Sequence, residues 1–186
     1  PSHSKIKNWL ILAMRILAVL LLLLFLSRPL VGGWLGWAMA AAPDAILLLV
    51  DRSASMESRV AGTDESRREY ALKLIASAAG EFENNSHLIL IDSATRKPET
   101  VSVASLAELP GTQPTDTAAD IPAMLQAALD WLIENEAGTA EGWIASDLQS
   151  SNWLPGDSRW ETLVTAFDSL PQKVRIRLLA TTQDSP

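Results

Sequence analysis

Ala45 to Val50, AILLLV, is a short run of apolar residues with no polar side on either face. That pattern belongs to a strand buried on both sides of a parallel sheet, and it constrains the fold more than any other feature of the chain. HLILI from His87 and GWIAS from Gly142 repeat it, VRIRLLA from Val174 closes the series, and ETVSV, Glu99 to Val103, alternates as an edge or half-buried strand. Helical patterns lie between them. In DESRREYALKLIASAAGEF, Asp64 is placed to cap, and Tyr70, Leu74, Ala78 and Phe82 recur at helical spacing. Asp120 caps a second helix with Pro122 in its first turn and Leu125, Leu129 and Leu132 on one stripe. Ser158 caps a third, whose buried face is Trp160, Leu163, Val164 and Phe167. Strands alternating with helices predict an α/β fold, a doubly wound and mostly parallel sheet with helices on both faces.

The chain has 186 residues, 48% of them hydrophobic, and the apolar ones are unevenly spread. Trp9 to Leu26 is apolar except for Arg15, long enough at about 1.5 Å per residue to span a bilayer core. Residues 1–43 are expected to be a membrane anchor, a helix over about 8–27 with an apolar extension, and 44–186 the α/β domain. Lys5 and Lys7 precede the apolar run, which places the N-terminal flank in the cytoplasm and the domain in the periplasm or outside. Trp9, Trp34 and Trp37 fall where the two interfaces would lie. AMAAAP, before Asp44, also fits the cleavage site of a signal peptide, but the apolar region exceeds the usual core of about 7–15 residues. Both alternatives export the domain. The chain opens on Pro1 and stops soon after its last strand, so it reads as a fragment truncated at its C-terminus.

Lys5, Lys7, Arg15 and Arg28 are the charged residues before Asp44, which leaves 11 basic and 22 acidic residues, a formal charge of −11, in the remainder. Such a domain is repelled by nucleic acid, whose binding needs clustered Lys and Arg. With no cysteine, thiolate chemistry and zinc–thiolate sites are excluded. His3 and His87 are far apart and lack the spacing of a zinc-binding helix.

In an open α/β sheet, ligands bind where loops converge beyond the carboxyl ends of the strands. Three such loops offer oxygens. The first supplies Asp51, Ser53 and Ser55, the second supplies Thr115 and Thr117 from PTDTAAD, and the third supplies Asp147. Carboxylates and hydroxyls without sulfur or imidazole suit a hard cation of the Mg²⁺ type. Asp116, Asp120 and Glu57 read as solvated or capping groups. Gln149, Ser150, Ser151 and Asn152 read as an ordinary polar connection. Trp143, Trp153 and Trp160 read as core, with Trp153 near enough to the site to reach its surface.

DRSASM, Asp51 to Met56, resembles the D-x-S-x-S motif of von Willebrand factor A domains, which hold Mg²⁺ or Mn²⁺ at a metal-ion-dependent adhesion site. The resemblance covers roughly Ala45 onward and implies a five-residue metal set of Asp51, Ser53, Ser55, Thr115 and Asp147. Thr115 matches through the Thr two residues on and the aliphatic Ile121, and Thr117 is the alternative. Asp147 follows the next buried strand, although Leu148 replaces the family's usual glycine. RILAVLLLLLFLSRP resembles the last transmembrane helix of bacterial Bat-type aerotolerance membrane proteins, in which an A domain follows directly.

The resemblance implies a binding module rather than an enzyme: a partner's acidic side chain fills an open position on the metal. It further implies a place in an envelope complex with other Bat-type proteins and a MoxR-type AAA ATPase. The rival class is a haloacid-dehalogenase-like phosphatase with Asp51 as nucleophile. Those enzymes need D-x-D, and the second position here is Ser53, which cannot serve as acid or base at neutral pH.

Overall fold

The computed structural model describes residues 9, 11–17 and 42–181. The chain divides into two units, Pro1–Ala41 and Ala42–Pro186. In the first, Trp9 and residues 11–17 are helical and exposed. Among the described residues no helix is long and apolar enough to cross a membrane. Most of the expected span over 8–27, and its extension to 43, lies outside the described residues.

The second unit runs β1 (Ala45–Val50), a 3-10 turn (Ala54–Glu57), α1 (Arg67–Ala79), β2 (His87–Asp92), β3 (Glu99–Thr100), α2 (Ile121–Asn135), β4 (Thr139–Ser146), α3 (Ser150–Trp153), α4 (Arg159–Asp168) and β5 (Lys173–Ala180). The sheet order is β3-β2-β1-β4-β5. β2 and β4 pair parallel with β1, β5 pairs parallel with β4, and β3 is an antiparallel edge of two residues. This is a doubly wound α/β sheet.

Every residue of β1 is buried, and the strand's period of two divides them between two cores. Ile46, Leu48 and Val50 pack with Ala71, Leu72, Ile75 and Ala79 of α1. Leu47 and Leu49 face the other way, toward Ile121, Met124, Leu125, Ala128 and Leu132 of α2 and Leu163 of α4. Burial of each such Leu or Ile contributes about 1.5–3 kcal/mol. An apolar run with both faces covered therefore has no cheaper place than the centre of the sheet.

Three expectations shift. The α1 cap is Ser66, not Asp64: Ser66 Oγ accepts from Glu69 N–H at 3.2 Å, and Glu69 Oε2 accepts from Ser66 N–H at 3.0 Å. This reciprocal capping box satisfies two donors that a single aspartate two residues earlier cannot reach. The buried stripe moves with it to Arg68, Ala71, Leu72, Ile75 and Ala79, leaving Leu74 38% exposed. ETVSV keeps only Glu99 and Thr100 as strand, because Val103–Ser105 winds into a 3-10 turn. In α4, Ser158 makes no capping bond; Asp157 Oδ1 accepts from Arg159 N–H at 2.9 Å instead, and Val164 faces solvent. The second helix matches its expected form, with Asp120 accepting from Ala123 N–H at 3.0 Å and Leu125, Leu129 and Leu132 buried.

The winding reverses between β1 and β4. The connection from β1 to β2 carries α1 over one face, and the connection from β4 to β5 carries α4 over the other. The carboxyl ends of β1 and β4 therefore flank the crevice where sheets of this kind bind ligands. Asp51 and Asp147 stand directly beyond those ends.

Candidate functional site

Asp51 is fully buried and its backbone N–H donates to Ala145 O of β4 at 3.0 Å. Its carboxylate accepts from Ser53 N–H at 2.9 Å and from the Ser53 hydroxyl at 2.6 Å, both on Oδ1. Oδ2 accepts from Ser146 Oγ at 2.9 Å. Among the described residues, no basic side chain pairs with Asp51. A buried carboxylate held only by neutral donors carries a desolvation cost that a countercharge would relieve.

The hydroxyls beyond it form an ordered chain. The Ser53 hydrogen is committed to Asp51, so Ser55 Oγ, 3.1 Å away, must donate to Ser53 rather than accept from it. Asn152 of α3, itself buried, donates from Nδ2 to Ser53 Oγ at 3.0 Å. Ser146 Oγ also accepts from the Leu148 N–H and from the Trp153 indole at 3.0 Å, and Trp153 stacks on Trp160 at 5.9 Å. The third loop and α3 thus hold the first loop's side chains in place.

The second loop is bound to the first through Arg52. Thr115 N–H donates to Arg52 O at 3.1 Å, while Arg52 Nε donates to Gln113 O at 2.6 Å. The same guanidinium pairs with Asp92 at the end of β2 at 2.7 Å. Burial would push the Asp92 carboxyl up, but the Thr95 hydroxyl, the backbone N–H groups of Thr95 and Ala94, and the Arg52 charge together hold it below its ordinary range. Thr115 Oγ1 and Thr117 Oγ1 lie 2.6 Å apart on the exposed side of the loop.

Asp147 is buried, with Oδ1 accepting from Gln149 N–H at 3.4 Å and Oδ2 lying 3.5 Å from Arg67 Nη1. The next residue, Leu148, has a φ of 61°. This is the left-handed conformation that a glycine adopts without cost. The leucine therefore preserves a glycine-like turn despite its side chain.

Asp51, Ser53 and Ser55 are joined directly, Thr115 sits against the first loop through its backbone, and Asp147 emerges beside Ser146, which bonds Asp51. Among the described residues no three acidic or histidine side chains gather as a metal cluster. The set is two carboxylates with hydroxyls, donors that match a hard divalent ion retaining several waters. Ser146, Asn152 and Trp153 participate although sequence spacing did not single out their contacts; only the register of β4 against β1 and the turn of α3 reveal them. Glu57 is not merely solvated, since it accepts from the buried Arg68 at 2.6 Å.

No family model matches the chain, and no curated protein matches it. Among solved structures it is similar to the crystal structure of the SpRpn10 VWA domain, with 11% identity and a TM-score of 0.40, over 75% of this chain and 89% of that one.

Proposed function

We propose that residues 44–186 form a von Willebrand factor A-like protein-binding module that depends on Mg²⁺ or Mn²⁺. The observation that carries this reading is Asp51: a fully buried carboxylate at the switch point of the sheet, donated to by two hydroxyls and one backbone N–H and paired with no basic side chain among the described residues. Asp51, Ser53, Ser55, Thr115 and Asp147 would hold the ion, with Thr117 the alternative on the second loop. When bound, the metal supplies a Lewis-acidic position for the carboxylate of a partner protein. The chain's own residues supply the rest. Asn152 fixes the Ser53 hydroxyl, Ser146 fixes the second oxygen of Asp51, and Arg52 clasps the Thr115 loop.

The apolar leader and its flanking lysines support attachment to the cytoplasmic membrane with the domain facing the periplasm or outside. The likeness of that leader to Bat-type proteins supports an envelope complex with other such proteins and a MoxR-type AAA ATPase. A phosphatase would need a second carboxylate two residues after Asp51, and that position is the buried Ser53.

Capture from detergent-solubilised membranes tests the reading. The full chain should retain a protein partner in Mg²⁺, release it on addition of chelator, and retain none as Asp51→Asn. Hydrolysis of generic phosphate esters that Asp51→Asn abolishes would overturn it in favour of the enzyme.

A further inference from the structure

Arg67, the first residue of α1, points its guanidinium at the third loop. Nη1 lies 3.5 Å from Asp147 Oδ2, and that carboxylate is completely shielded from solvent while the arginine side chain is 28% exposed. The neighbouring basic residues are committed elsewhere. Arg52 is clamped between Asp92 and Gln113 O at 2.7 and 2.6 Å, and Arg68 between Glu57 and Thr112 O at 2.6 and 3.0 Å. Asp147 is the one side-chain partner of Arg67 among the described residues. Its contact is long and half open, on a flexible stem that can swing into water at small cost.

We infer that Arg67 is a built-in competitor of the metal, neutralising Asp147 when no ion is bound and giving way when one binds. This rests on the metal reading of the site above. Asp147 and Asp51 stand beyond adjacent strands, both buried, and among the described residues Arg67 on Asp147 is the one cationic side chain that either carboxylate contacts. A divalent ion entering the site meets that positive charge and must displace it from Asp147. The centre is thereby set for weak, reversible loading, and its affinity depends on a residue that need not touch the ion.

Calorimetric titration of the detergent-solubilised chain with Mn²⁺ tests this, using wild type, Arg67→Gln, Arg67→Lys and, as a second neutral variant, Arg67→Met. Removing a unit charge beside a divalent ion should tighten binding about tenfold, even at a water-like dielectric constant. Arg67→Lys should stay near wild type because it keeps the charge. Without metal, the neutral variants should melt lower than wild type, since Asp147 is left buried without a countercharge. Neutral variants that bind Mn²⁺ no more tightly than a wild type that does bind it would overturn the competition and leave the metal reading standing. Absence of binding in wild type and in both neutral variants would overturn both.

Discussion

Leu148 holds a φ of 61° immediately after Asp147 and is 39% exposed. Side-chain sterics make that conformation cost about 1–2 kcal/mol for a leucine, and glycine adopts it freely. Leu148→Gly should therefore stabilise the domain by about 0.5–1 kcal/mol in urea unfolding, after allowance for glycine's greater unfolded-state entropy. An equal or larger loss of stability would mean that the leucine's packing outweighs its backbone strain. The sequence showed a leucine where the domains it resembles have a glycine, but it could not show that a left-handed turn forms there all the same. Backbone dihedral angles are set by the loop's closure between β4 and α3, which no single residue type encodes.

At the scale of elements, the carboxyl ends of β1 and β2 and the Thr115 loop are braced by Arg52 and Asp92. The Asp92 carboxyl sits below its ordinary value of 3.8 in the folded chain. A depressed carboxyl stabilises the fold fully above the unfolded pKa, and that stabilisation fades as pH falls through the folded one. Unfolding free energy should thus drop in acid more steeply for wild type than for Asp92→Asn, the two profiles converging below about pH 4. Parallel profiles would remove Asp92 from the brace. The elements themselves were legible because their signals were strong, an unbroken apolar run in β1 and a 3.6-residue stripe in α2. Where they were misplaced, a local competitor decided: the Ser66–Glu69 box outcompeted Asp64, and the alternation of ETVSV was overridden by a 3-10 turn. Arg52 and Arg67 carried no signal as sequence, since an arginine becomes a brace or a competitor only when distant loops are brought to it.

Over the whole domain, the same burial that stabilises the sheet brings unpaired carboxylate charge to its switch point. The order of Asp51, Thr115 and Asp147 along the chain was legible because doubly wound topology delivers the loops after β1 and β4 to one edge, and the segment between β3 and α2 returns there, where Thr115 N–H meets Arg52 O. Ser146 and Asn152 were not, because their contacts depend on strand register and on a four-residue helix. The most direct measurement of the central claim is thermal unfolding of the chain with and without millimolar Mg²⁺ or Mn²⁺, wild type against Asp51→Asn. At 100 times its dissociation constant, an ion bound only by the folded state adds about 2.7 kcal/mol, a rise of several degrees in wild type. Asp51→Asn should lose that rise and melt higher than wild type in chelator, since it removes a buried charge without a partner. A wild-type melting temperature unmoved by either ion, or an equal rise in Asp51→Asn, would contradict the account.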